Sequence, residues 1–105
     1  MGTGRKNGLP ELTGTQKKYL RGLAHHQEPV VQLGKNGLTD AVLKSIDEAL
    51  EVHELIKVRL AGAEGKKELS REIADRTDSA WVGLVGHVVT LYRRQPDPEK
   101  RTIEL

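Results

Sequence analysis

Apolar positions along the chain switch between helical and strand spacing, and the switches mark its elements. Leu12, Tyr19, Leu20, Leu23 and Ala24 fall on one stripe at helical spacing. Thr13 stands at the start of that stripe with Gln16 three residues on, a pair in which each side chain can satisfy the other residue's backbone N–H. The spacing predicts a first helix from Thr13 to about Gln27, ahead of Pro29. On its other face Lys17, Arg21 and His25 follow at four-residue steps with Lys18 beside them, so the helix is apolar inward and basic outward. An apolar run then predicts a strand over residues 30–33, broken at Gly34 and Gly37. Thr39 is a good N-cap for a second helix, and Leu38 before it can meet Leu43 as a hydrophobic staple. That helix carries Ala41, Val42, Ile46, Ala49, Leu50 and His53 inward, while Asp47, Glu48, Glu51 and Glu54 point elsewhere.

Strand spacing returns at residues 55–60, where Ile56, Val58 and Leu60 alternate with Lys57 and Arg59; one face is buried and the other wet and basic. Residues 61–65 read as a loop, and a third helix follows over about 66–77 with a narrow stripe of Leu69, Ile73 and Ala74, ended by Asp78 and Ser79. Residues 81–85 and 88–92 are strands joined at Gly86-His87 and closed by Arg93 and Arg94. Two strand-helix-strand crossovers imply parallel pairings, and the hairpin adds an antiparallel strand. The expected fold is therefore α/β, in the order α-β-α-β-α-β-β, with a four-stranded mixed sheet packed with three helices. Residues 1–10, Gly-rich and basic, read as a flexible arm, residues 11–95 as the single domain, and residues 96–105 as a loose polar tail.

A chain of 105 residues suffices for one domain that buries roughly 65% of its unfolded surface. The net charge of +2 conceals an asymmetry. Residues 1–37 carry six Lys or Arg against two acids, net +4, whereas residues 38–54 carry one Lys against five acids, net −4. A basic lobe opposite an acidic helix is what a one-sided polyanion binder needs, though an ordinary solvated surface shows it too. The sequence has no cysteine, which excludes disulfides, thiolate catalysis and Cys-type metal sites, and it has no apolar stretch of membrane-spanning length. With no signal-peptide pattern at Met1, a cytoplasmic location is expected.

Between the two lobes, Gly34-Lys35-Asn36-Gly37 joins strand to helix without a spacer. A Gly-x-x-Gly turn can present bare N–H groups, because glycine passes through φ > 0 and lets another backbone approach with no Cβ in the way. The helix behind it adds unpaired N–H groups and the positive end of its dipole, and Lys35 adds a mobile charge. Such a set suits a phosphate backbone better than a small neutral ligand. The plain alternative is a tight strand-to-helix turn.

Enzyme chemistry finds little support. His25 and His26 are adjacent on a helix, about 100° apart, His53 lies on the apolar stripe and His87 in a turn. No HExxH, Gly-x-Ser-x-Gly or P-loop pattern is present. A non-enzyme with no metal, no cofactor and no small-molecule substrate is expected. Trp81, Tyr19 and Tyr92 are the only aromatic residues, too few for a stacking platform on one sheet face, so any nucleic acid would be held chiefly by its phosphates and shape.

Four segments in this order, residues 12–25, 30–39, 54–59 and 85–93, resemble the YhbY-like RNA-binding proteins, whose fold is the CRM domain. The resemblance spans about residues 11–94. It implies a fold similar to the C-terminal domain of bacterial translation initiation factor 3, and work on the RNA of precursor large ribosomal subunits, plant relatives acting in intron splicing. It favours an RNA contact at Gly34, Lys35, Asn36 and Gly37 and on the helix face of Lys17, Lys18 and Arg21, with Lys57, Arg59, Arg93 and Arg94 in second rank as wet strand positions. Two residues depart from the family pattern: Asp78 stands where a helix-ending glycine is usual, and Gly83 where a polar strand residue is common. A rival reading is an adaptor that docks a basic protein through Asp47, Glu48, Glu51 and Glu54.

Overall fold

Thr13 opens the first helix through the reciprocal pair that its spacing predicts. Its hydroxyl accepts the Gln16 N–H at 3.1 Å, and its own N–H donates to Gln16 Oε1 at 3.0 Å. The computed structural model describes residues 12–62 and 64–105; the arm expected over residues 1–10 lies outside them. Helices α1 (Gly14–Ala24), α2 (Asp40–His53) and α3 (Lys66–Arg76) and strands β1 (Val31–Gln32), β2 (Leu55–Arg59), β3 (Ala80–Val85) and β4 (Val88–Tyr92) follow in the predicted order, and a short 3-10 turn covers Pro98–Lys100. Helix α1 stops at Ala24 rather than near Gln27, because Ala24 makes its last inward contact and residues 25–28 are all exposed.

The four strands form one mixed sheet in the order β1-β2-β4-β3. Strand β1 runs parallel to β2, and hydrogen bonds from Val30 N–H to the Lys57 carbonyl and from Leu33 N–H to the Arg59 carbonyl extend that pairing over the whole predicted stretch. The second crossover departs from expectation: β4 lies between β2 and β3, antiparallel to both, so only one parallel pairing forms. Strand β4 suits the interior place, since Val89, Thr90, Leu91 and Tyr92 are all buried. Strand β3 suits an edge, because its register slips between Trp81 and Gly83, and a glycine inside a strand marks such an irregularity.

Two apolar layers lie on opposite sides of this sheet. On one, Ile46 and Leu50 of α2 and Ile73 and Ala74 of α3 pack on Ile56, Val58, Val89 and Leu91. On the other, Leu12 and α1 residues Leu20 and Ala24 pack on Leu55, Val82 and Tyr92, the alternate positions of the same strands. The α1 seam is narrower than its stripe suggested: Tyr19 and Leu23 are 49% and 42% exposed. His53, expected inward, is also exposed, and Glu54, expected outward, is buried. Four-residue steps from Ile46 through Leu50 reach Glu54, not His53, so the buried line of α2 ends on the carboxylate.

Glu54 in turn ties down the segment expected to be loose. Its Oε2 accepts the Gln95 N–H at 2.9 Å, and its Oε1 accepts the Thr102 N–H at 2.8 Å, the Thr102 hydroxyl at 3.1 Å and the Ile103 N–H at 3.3 Å. Ile103 joins the α1 layer. At the end of α3, Asp78 adopts φ +52°, the left-handed conformation that explains why a glycine is usual there and why aspartate is tolerated.

Beside Glu54, burial holds the Tyr92 hydroxyl pKa above its usual value, the Glu54 carboxylate adds to the rise, and Arg94 and Arg101 oppose it. The folded state thus favours the neutral phenol more than the unfolded state does. That contribution is complete below about pH 10, the unfolded value, and is lost as pH climbs through the raised folded value. Tyr92→Phe is therefore expected to flatten the fall in stability above about pH 10, as read from urea midpoints of both proteins along an alkaline pH series.

Candidate nucleic-acid interface

The turn after β1 is built by one hydrogen bond and one glycine. Gly37 N–H donates to the Gly34 carbonyl at 3.0 Å, which puts Lys35 and Asn36 at the exposed corner. Gly37 has φ +70°, the left-handed region, whereas Gly34 does not need it. A Cβ at either position would meet nothing within 4 Å, so the approach to this backbone is open. Thr39 then anchors the turn to α2: its N–H donates to the Gly37 carbonyl at 3.1 Å and its hydroxyl accepts the Val42 N–H at 3.2 Å. Asp40 in the first turn of α2 offsets part of the dipole there. The positive character of this corner therefore rests on the turn amides and Lys35.

Strand pairing brings Arg59 beside the turn. Its carbonyl accepts from Leu33, the residue that leads into Gly34, and Gln32 is its register partner on β1. Lys57 lies two residues back on the same face. Helix α1 supplies Arg21, whose Nη1 donates to the Val82 carbonyl at 3.3 Å. Arg21, Lys57 and Arg59 share a groove of about 430 Å³. Lys17 sits further along α1 with its ammonium 5.6 Å from the Trp81 ring centroid, and Lys18 is exposed. Trp81 itself is occupied: the Arg71 guanidinium lies 3.9 Å from its ring centroid and its Nε1–H donates to Ser70 Oγ at 2.9 Å.

Arg93 and Arg94 do not join this set. They follow Tyr92, which pairs with Leu55 at the start of β2, so they lie at the opposite end of the sheet from Arg59 and the turn. The Arg93 guanidinium, with a side chain only 14% exposed, is held by Asp47 Oδ1 at 2.7 Å, the Thr77 carbonyl at 2.8 Å and the Asp47 carbonyl at 2.9 Å. It fastens α2 to the end of α3. Arg94 lines a separate polar hollow with Asp47, Glu51, Arg76 and Lys100. Arg93→Ala is expected to lower stability by about 2 kcal/mol, since it strips three acceptors of a charged donor. Urea unfolding checks this, and nucleic-acid affinity is expected to stay within about twofold for a position outside the interface.

The groove also uses residues that sequence reasoning passed over, namely Val85, Val88 and Thr90 on the hairpin. Residues 88–92 read as a largely apolar run, so nothing local distinguishes half-buried Val88, or buried Thr90 beneath it, as groove lining. Only their pairing with Arg59 and Lys57 reveals it.

Comparison with known proteins gives this arrangement a family. Residues 12–93 match the CRS1 / YhbY (CRM) domain. The chain is 51% identical over 87 residues to a Haemophilus influenzae protein named RNA-binding protein, covering 81% of this chain and 88% of that one. It is 40% identical over 96 residues to the Bacillus subtilis protein named Probable RNA-binding protein YqeI, covering 90% and 98% of the two chains. A Staphylococcus aureus protein, SAV1595, described with its solution structure as a candidate RNA binder, superposes with a TM-score of 0.75 at 38% identity over 89% of this chain and 99% of its own. A match that runs from the α1 cap to Arg93, together with this superposition, means that the chain belongs to the CRS1 / YhbY (CRM) domain family.

Proposed function

We propose that this chain is a non-catalytic RNA-binding protein that acts in assembly of the large ribosomal subunit, in the cytoplasm, with precursor ribosomal RNA as its partner. The observation that carries the binding role is the pairing of β1 with β2, which sets Arg59 against the residue that leads into the Gly34–Gly37 turn, with Lys57 and Arg21 next along the same surface. Backbone amides and cations in a row meet a phosphate backbone and need no cofactor. Relatives named as RNA-binding proteins support the choice of polyanion. The ribosomal role rests on the family resemblance. The adaptor reading is weakened at two of its four carboxylates, because Glu54 is buried under the C-terminal segment and Asp47 holds Arg93.

Gradient sedimentation of lysate before and after RNase tests this function. The protein is expected to travel with precursors of the large subunit and to return to the top of the gradient after digestion. A protein that keeps its partner after digestion is gripping protein, and the adaptor reading then wins. In binding titrations, about four to six neutralised phosphates on a single-stranded region give a slope of about −3 to −4 for log K against log salt. A flat plot would mean that the cations contribute little.

A further inference from the structure

Helix α1 covers only half of its side of the sheet. Its apolar residues sit over Leu55, Val82 and Tyr92, and the other half, at the Arg59 end, is left open as the groove described above. We propose that this groove is a site for one unstacked nucleotide of single-stranded RNA, its base lying on the hairpin floor and its phosphate on Lys57 and Arg59. The proposal rests on the reading of the chain as an RNA binder and adds where, and in what state, a base is met.

Three observations carry it. The first is charge complementarity: Arg21, His25, Lys57 and Arg59 line the groove and no carboxylate among the described residues does, so the occupant is anionic. The second is the floor. Val85 is 75% exposed and Val88 half-buried, an apolar surface ringed by cations, which suits an anion with a flat apolar part. At about 430 Å³ the groove falls within the size range of small-ligand sites, about 300–1,000 Å³, and a single nucleotide is a ligand of that class.

The third observation concerns Arg21 and Gly83. A Cβ on Gly83 would lie 3.1 Å from Arg21 Cδ, so the absence of a side chain lets the arginine lie flat along β3 while its Nη1 donates to the Val82 carbonyl. One edge of the guanidinium is thereby tethered at the groove wall. Arginine planes stack on unpaired bases as aromatic rings do. In a chain with three aromatic residues, whose Trp81 is already covered by Arg71, Arg21 offers the stacking surface that the composition lacks. An acidic peptide would satisfy the charges but would leave this plane and the valine floor unused. Continuity with the turn through Arg59 also favours one RNA strand running across both.

Fluorescence anisotropy with two probes tests the assignment, a short labelled oligouridylate and an RNA duplex of equal length, in several salt concentrations. Arg21→Lys keeps the charge and loses the plane; Val85→Asn alters an exposed floor position and changes no charge. Each is expected to bind the single strand about five- to tenfold more weakly, as for the loss of one stacked base, with an unchanged salt slope. Duplex affinity is expected to be unaltered in Val85→Asn, because a paired base cannot enter the groove, and to fall less than single-strand affinity in Arg21→Lys; retained duplex binding also shows each variant folded. Gly34→Asp, by contrast, is expected to weaken both probes. If both groove variants bind the single strand as wild type does while Gly34→Asp loses it, the groove proposal is overturned and the RNA-binding reading stands. Equal weakening of both probes, or a lowered salt slope, would reduce the groove to general electrostatics and also overturn it. Failure of the wild-type protein to bind either probe overturns the RNA-binding reading itself, and tight capture of an oligoglutamate peptide would transfer the groove to a protein partner.

Discussion

Replacing Gly34 and Gly37 together by aspartate is expected to leave the protein folded and to weaken RNA binding on the order of a hundredfold or more, the effect of a few kcal/mol of repulsion at short range. Space is not the obstacle, since a Cβ at either glycine meets no heavy atom within 4 Å. Gly34 has no positive φ, so aspartate enters there without backbone strain. Gly37 at φ +70° imposes a cost of about 1 kcal/mol, and aspartate tolerates that region better than most residues. Carboxylates near the start of α2 return about 0.3–1 kcal/mol through the helix dipole. Stability therefore changes little, and the melting temperature is expected to move by no more than a few degrees. For the ligand the same two carboxylates stand where a phosphate must approach. Lys35→Ala offers a graded comparison: it removes one mobile charge, weakens binding moderately and lowers the salt slope by about 0.7. Circular dichroism and filter binding on one preparation decide the matter. A folded double mutant with wild-type affinity would leave Gly34–Gly37 as a turn only and shift the interface to Arg21, Lys57 and Arg59.

Much of this corner is legible in the sequence because it is closed locally. The Thr13–Gln16 box, the Thr39 cap on Val42 and the Gly34–Gly37 turn each join residues three apart, so residue type and spacing suffice to find them. Alternation in β2 likewise marks Lys57 and Arg59 as one wet face, whatever the neighbouring strand is. What spacing cannot supply is the partner. Arg59 and Arg93 are both arginines at the ends of strands. One remains exposed beside the turn, while the other is taken by an aspartate 46 positions away, a fact that appears only when α2 is packed on the sheet. The placement of β4 between β2 and β3 has the same origin, since crossover length fixes the direction of β3 but not the strand that fills the gap. The basic groove follows from that placement, which is why its valine floor was hidden in a run of apolar letters.

Glu54 shows the same limit most sharply, and its removal is expected to be strongly destabilising, on the scale of truncating a core leucine. In the sequence it is the last of four acids on an exposed-looking helix end; in the fold it is 2% exposed and accepts four hydrogen bonds from Gln95, Thr102 and Ile103. Glu54→Ala strands three backbone N–H groups and frees the segment that carries Ile103 onto the α1 layer. Part of that loss is recovered as the released amides meet water, which leaves a cost of about 3–4 kcal/mol and a fall in melting temperature of more than about 10 °C. Glu54→Gln is expected to fall between, because its NH₂ group must face N–H donors on one side. Backbone strain adds a further, separable term: Glu54 sits at φ +62°, so Glu54→Gly is expected to be about 1 kcal/mol less damaging than Glu54→Ala although it removes the same carboxylate. Urea midpoints rank the three variants, and amide hydrogen exchange locates the damage, with protection lost at Gln95, Thr102 and Ile103 before the β2–β4 ladder. Wild-type protection at those amides in Glu54→Ala would mean that the C-terminal segment is held by its apolar contact and not by the carboxylate.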